Sequence, residues 1–590
     1  MRRNQVVFVA KPCLLNLFRL LGPAIKGQTI YIFDSSTLAR FESALFPGFE
    51  FARRCLLKFS NVHEFSTLDE RLAFATWYRD IILIADLFGR SESWLDRYFG
   101  FADVDCTLPE YSSCYRAMIS STIQFRHLEI FTVECVRKKF PGSDLRFVGL
   151  DYDTRAAIMW FSKTSKHTGG ANLAVGRRIL RRILNLFLAG VVGLFGLCRL
   201  ARLIGWRAGS PRDCFLMADY IADPDDNSIY KAACPYGLQV MVPRSRSLPT
   251  TGLNLSDNLK ICQRDDGSLP LSALPAVVAT YVRALYRIYI SLGWLNSPTF
   301  LIASIWPFKE TQYESLFRKY RPKVFFARDP YNHDHILRHR ALKKVGAKHI
   351  GINVGYPCYS IHFPTTRYIA FDTFLVYGRK LYDEHYADKW PTEMELFPVG
   401  PFRADREQFN RAKKKREGND IAIFTGVFVR EPGMIALVRG LAKAFPDRRI
   451  FLQVKPVFRD QPIGISYVKQ CTAGLPNILP VTNDVYDILS EAAYSITDPS
   501  SIVVEAMSFG VESFLADVSD WQETCYFRKF DEIIVTSGHD AAAKIRALEA
   551  GALHYPWKRL DGVARLSNEY FVDHIERYFA AMSCDAHGTK

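Results

Sequence analysis

The chain has 590 residues, with 76 Lys+Arg against 61 Asp+Glu, a formal net charge of +15. At 48% hydrophobic and 23% charged residues it is no disordered chain, and a mean hydropathy near zero excludes a polytopic membrane protein. The positive balance favours anionic partners: nucleic acid, anionic lipid or phosphate-bearing small molecules.

The 13 cysteines are spread singly, with no C-x-x-C pair. This is the usage of reduced thiols in a cytoplasm, and it argues against a structural zinc. The N-terminal run MRRNQVVFVAKPCLLNLFRLLG begins basic and turns apolar, as a signal peptide does. Lys11 and Arg19 interrupt it and no small-residue cleavage site follows, so it reads as a strand entering a helix.

Residues 1–165 read as an N-terminal α/β domain of unknown role. QVVFVA, TIYIFDSS and DLRFVGLDYD are its strands, with helical periodicity between them. Residues 166–210 differ. Within 154–212 lie eleven Lys+Arg and no acid, and Ile183–Cys198 carries Asn185 as its one polar side chain. Arg177, Arg178, Arg181 and Arg182 precede this run; Arg199, Arg202 and Arg207 follow it. It is short for a span, which needs about 20 apolar residues, and both flanks are basic. The predicted element is a helix lying in the plane of an anionic membrane, the first six of those arginines contacting lipid headgroups; the plainer reading is a buried helix with its arginines on solvated ends. Gly190, Gly193 and Gly196 permit close helix packing.

Alternation resumes over 211–402. DCFLMADY, GLQVMVP, RPKVFFARD, KHIGINV and FDTFLVYG read as strands, HDHILRHRALKKVGA as a helix, and Leu274–Leu301 as core helix. Residues 403–417, polar and net basic, read as a linker. A second α/β domain follows over 418–560, with strands in DIAIFTGVF, RIFLQVKP, NILPV, AYSITD and SFLADV, and 561–590 holds a terminal amphipathic helix. Strand–helix–strand units of this length form parallel sheets with right-handed crossovers. The predicted architecture is two Rossmann-like sheets facing a ligand cleft. The basic excess of 154–212 and of 403–417 accounts for the whole +15. That localisation, with no nucleic-acid motif, argues against a nucleic-acid partner.

Chemistry concentrates in AYSITDPSSIVVEAMSFGVESFLAD, residues 493–517. A strand ends at Thr497, Asp498–Pro499 turn the chain, and Ser500 and Ser501 open a helix, an arrangement suited to phosphate. Glu505 lies one turn on, in reach of a ribose; the plainer reading is ordinary N-capping. Lys455 and Arg430, at the ends of two other strands, are placed to neutralise a diphosphate. In the first sheet domain, DPYNHDHILRHR supplies base candidates, His335 ahead of Asp334 and Asp329. Asp334 and Arg338 also have i,i+4 spacing. The acidic run ADYIADPDDN reads as a capped polar turn.

The run TDPSS followed by EAMSFG resembles the donor-binding segment of GT-B glycosyltransferases, closest to bacterial capsule and surface-polysaccharide transferases and to CDP-glycerol glycerophosphotransferases. RIFLQVKPVFR resembles their strand ending in K-P-H-P-R. IGINVGYP and FDTFLVYG resemble two first-domain segments, and Phe397–Pro401 their V-G-x-P. The resemblance covers about 320–520. It implies a GT-B fold with an added N-terminal domain and a basic apolar helix. It also implies a nucleotide-activated donor, a glycan or lipid-linked acceptor, and no required metal or cofactor. The expected place is the inner face of a bacterial plasma membrane. Val354 and Val457 stand where the family carries histidine, and valine can neither donate to phosphate nor act as a base. A polyol-phosphate transferase and a non-catalytic glycan-binding scaffold are therefore the alternatives.

Overall fold

Runs such as Ile421–Thr425 and Tyr494–Thr497 are buried at every residue, the pattern of parallel strands covered on both faces. The computed structural model describes residues 5–9, 14–33, 55–65, 99–120, 144–148, 171–205, 211–219, 226–242, 258–295, 297–328, 333–352, 368–387, 390–400, 406–413, 419–518, 526–564 and 571–584. The chain forms two compact units. One comprises Met1–Gly100, Ile119–Gly190 and Ile288–Ala303; the other comprises Phe101–Met118, Val191–Arg287 and Ser304–Lys590.

The first unit contains strands β1 (Gln5–Val9), β2 (Thr29–Phe33), β3 (Val62–Phe65) and β4 (Asp144–Val148), parallel in the order β3-β2-β1-β4. Val7, Ile30 and Ile32 pack against Leu20 and Leu56. Three of these strands were legible; β3, with charged and polar residues in a four-residue strand, was not.

The second unit begins its strands with β5 (Ile204–Gly205), β6 (Arg212–Ala218), β7 (Gln239–Met241), β8 (Leu259–Ile261) and β9 (Leu269–Pro270). It continues with β10 (Tyr320–Arg328), β11 (Lys348–Ile352), β12 (Thr373–Val376) and β13 (Glu395–Pro398). Short β5 pairs with β9; the others form one parallel sheet, β13-β12-β11-β10-β6-β7-β8. The last strands are β14 (Ile421–Thr425), β15 (Ile450–Val454), β16 (Ile478–Pro480), β17 (Tyr494–Thr497), β18 (Glu512–Ala516) and β19 (Ile534–Val535). They form a second parallel sheet, β16-β15-β14-β17-β18-β19. The fold class is α/β with two Rossmann-like parallel sheets, a further N-terminal parallel sheet and a long apolar helix. Each large sheet reverses its winding once, between β6 and β10 and between β14 and β17. Such switch points open crevices at the carboxyl ends of parallel strands.

Two expectations change. The stretch 403–417 contains a helix, Arg406–Lys413. Phe409 is 3% exposed and sits edge-on to Phe509, while Arg406 and Arg411 pair with Asp573 and Asp487. Its charges hold it to its neighbours. Leu274–Leu301 is two helices, Leu274–Leu292 and Ser297–Ser304, and Val282, Tyr286 and Ile290 are at least half exposed, so it is not wholly core.

The terminal helix Phe571–Cys584 returns to the seven-stranded sheet. Phe579 meets Phe215 edge-on at 5.7 Å, and the Tyr578 and Thr373 hydroxyls lie 2.6 Å apart. Because Phe579 is 1% exposed, Phe579→Ala is expected to lower the unfolding free energy by about 3–5 kcal/mol, measured by urea denaturation.

Candidate active site

The switch point of the second sheet gathers three chain segments. Asp498, immediately after β17, is 2% exposed. Its Oδ2 accepts the backbone N–H of Gly426 at 2.8 Å and of Phe428 at 3.2 Å. A carboxylate holding two N–H groups fixes the turn that leaves β14. Lys455 ends β15, is exposed, and lies over the same turn: a Cβ placed on Gly426 would sit 3.5 Å from Lys455 Cδ and 3.3 Å from Asp498 Oδ2. Arg430 closes the short turn Val427–Arg430 after β14. Ser500 is half-buried, its hydroxyl 3.0 Å from that of Thr497.

The helix after this turn is Ile502–Ser508, seven residues long. Ser501 occupies its N-cap without a side-chain capping bond, so capping does not engage that hydroxyl. Gly510 ends the helix with φ +72°, the left-handed conformation glycine adopts most readily. The structure thus brings Lys455, Ser500, Ser501 and the turn ending at Arg430 to one sheet edge.

Glu505 is placed differently from its sequence reading. Its carboxylate is 2% exposed. Tyr377 Oη donates to Oε1 at 3.2 Å and Tyr486 Oη donates to Oε2 at 2.9 Å. Tyr377 follows β12 of the seven-stranded sheet; Tyr486 lies on a helix of the six-stranded one. Glu505 therefore ties the two sheets together, and its burial keeps it from a ribose in this conformation. The tie has a backbone counterpart. Gly562 O accepts Lys380 N–H at 2.7 Å, and any side chain on Gly378 would overlap the carbonyls of Gly562 and Val563.

The other switch point is occupied by internal pairs. Asp219, ending β6, and Arg338 form a buried ion pair, 2.5 Å, and Arg338 Nε also reaches His349 Nε2 at 3.3 Å. Asp334, expected at i,i+4 from Arg338, instead pairs with Lys309 at 2.6 Å. Burial alone would raise the Asp334 carboxyl, but Lys309 and His333 hold it at about 2, too acidic for an effective base at neutral pH. His335 is 2% exposed and stacks on Phe371, centroids 5.2 Å apart, which makes its ring part of the core. Asp329 and Val354 lie outside the described residues. Val457 is 57% exposed.

His333, in the same stretch, has a distinct state. Burial pushes its imidazole down to about 4, against the Asp334 carboxylate 3.4 Å away. It is neutral at pH 7 and, at so low a value, a weak proton acceptor there. The folded value lies below the unfolded 6.5, so the unfolded chain protonates first. Stability from this group is full above pH 6.5 and is lost as pH falls towards 4, on the order of 3 kcal/mol in all. Urea titrations over that range are expected to show the slope in wild type and a reduced slope in His333→Gln; parallel curves contradict the assignment.

A second variant probes the tie. Hydrogen bonds to a charged acceptor contribute about 1.5–3 kcal/mol each. Glu505→Ala is expected to lower stability by about 3 kcal/mol or more on that basis, and Glu505→Gln, which keeps an acceptor, by less.

No protein-family profile and no curated protein matches the chain. Solved structures similar to it include the wall teichoic acid polymerase TagF, 12% identical, aligned over 70% of this chain and 98% of its own with TM-score 0.40. UDP-GlcNAc 2-epimerase from Neisseria meningitidis, bound to UDP-GlcNAc, is 10% identical over 63% of this chain and 100% of its own, TM-score 0.36. MurG from Acinetobacter baumannii is 11% identical over 63% and 100%, TM-score 0.35. Function is argued from the site.

Proposed function

We propose that this chain is a GT-B-type transferase moving a sugar from a nucleotide-activated donor to a cell-surface polysaccharide acceptor, which the resemblance makes a lipid-linked one. The observation that carries the reading is the six-stranded sheet's switch point, where Lys455, Ser500 and Ser501 meet the Asp498-fixed turn that ends at Arg430. In this chemistry a negative diphosphate leaves. Lys455 and Arg430 stabilise the developing charge and the serine hydroxyls orient it. Asp498 occupies the Gly426 and Phe428 N–H groups, so it shapes the phosphate loop and does not itself bind donor. Glu505 acts through Tyr377 and Tyr486 as a positioning residue that sets the separation of the sheets.

An acceptor hydroxyl attacks the anomeric carbon, its proton leaves to a base on the seven-stranded side, and the bond from that carbon to the nucleotide diphosphate breaks. A polyol-phosphate donor uses the same cations with attack at phosphorus and CMP leaving. Exposed Val457, where the resembling families place histidine, favours a second reading, a GT-B-like glycan-binding protein without catalysis.

The test is a thermal-shift and calorimetric screen of UDP, GDP, CDP and CMP. One nucleotide is expected to bind, and Lys455→Ala to weaken it by roughly tenfold or more. Binding with neither hydrolysis nor transfer favours the scaffold; no binding by any nucleotide overturns the donor site.

A further inference from the structure

The helix Ala171–Arg202 is built inside out. A helix at the surface of a soluble domain turns its apolar stripe to the core and its polar residues to water. Here Asn185, the one polar side chain of the Ile183–Cys198 run, is fully buried. Its Nδ2 donates to the carbonyls of Gly293 and Leu295, both at 2.9 Å. The apolar residues face outward: Ile183 is 62% exposed, Phe187 69%, Leu194 68% and Phe195 61%. Within Ile179–Arg202 the most apolar 18-residue window has a mean hydropathy of 2.0, and only 17% of it is buried. A continuous apolar surface of this kind marks an interaction site.

Protein already occupies the opposite flank. Tyr281 Oη donates to Val192 O at 3.1 Å. A side chain on Gly196 would overlap Tyr281, and one on Gly193 would come 3.2 Å from Leu285. Two of the three spaced glycines thus serve close helix packing, while Gly190 meets nothing within 4 Å. The packing helix carries Arg283 and Arg287, the latter paired with Glu110 at 2.6 Å.

Twenty-four residues span about 36 Å at 1.5 Å each, long enough to cross a bilayer's hydrocarbon. Crossing would drag Arg287 and Glu110 into that hydrocarbon, which is strongly unfavourable. Lying in the plane avoids this: the apolar face enters below the headgroups while the charged flank stays in water. Charge selects the lipid. Arg177, Arg178, Arg181 and Arg182 precede the apolar run, Arg199 and Arg202 follow it, and no Asp or Glu occurs from 154 to 212. Both ends of the helix therefore favour phosphate.

We propose that the outward face of this helix docks in-plane on an anionic phospholipid bilayer. The claim is independent of the transfer reaction and stands if the donor site fails. The test is flotation of the full chain with vesicles of phosphatidylcholine, alone or mixed with phosphatidylglycerol. Wild type is expected to float with the mixed vesicles, and added salt to weaken the association. Phe187→Asp with Leu194→Asp replaces two outward side chains. This double variant is expected to bind roughly tenfold or more weakly while its urea midpoint stays that of wild type. Arg181→Ala with Arg182→Ala is expected to lose the preference for anionic vesicles. Wild type remaining in the aqueous fraction, or the Asp variant floating like wild type, overturns the proposal. So does a wild-type dimer in lipid-free buffer that the Asp variant dissociates, which would assign the face to a second copy. Resistance of the cellular protein to alkaline extraction would make the helix a span and also contradict it.

Discussion

One buried carboxylate sets the geometry of the second unit. Glu505 accepts hydroxyls from Tyr377 on one sheet and Tyr486 on the other, and each sheet presents the carboxyl edge of its strands at that point. Taking a carboxylate out of water is costly without donors, so the sheets are most stable when both hydroxyls arrive together. The terminal helix and the backbone contact of Lys380 with Gly562 reinforce the same approach. The six-stranded edge beside it has its own local support, the Asp498 bonds to Gly426 and Phe428.

The two switch points differ in kind. At β6 and β10 the charges are matched within the protein: Asp219 with Arg338, Asp334 with Lys309. At β14 and β17 Asp498 is matched by backbone donors, while Lys455 is exposed and Ser501 is not engaged in capping. The proposed phosphate site therefore draws on the second sheet, whose cation Lys455 is exposed.

Much of the fold was legible because parallel strands buried on both faces are near-continuous apolar runs, as in DIAIFTGVF and RPKVFFARD. Short β8 and β19 escaped because two or three residues carry no periodicity. The turn at 497–501 was legible from its residue types, and the packing glycines from their spacing. The Glu505 contact is illegible in sequence because Tyr377 lies 128 residues away, and local spacing cannot report a contact across sheets. The stacking of His335 on Phe371 is illegible for the same reason. The arginines around Ile183–Cys198 were evident from composition, whereas the inward turn of Asn185 follows only from Gly293 and Leu295.

The most direct test of the central claim is a crystal structure of the chain soaked with the nucleotide that the binding screen selects. The account predicts a diphosphate at Lys455, Ser500 and Ser501, with the Asp498 bonds to Gly426 and Phe428 intact and Glu505 still held by its two tyrosines. A nucleotide bound away from the β14–β17 edge, or a ribose on Glu505 with Tyr377 displaced, would contradict it.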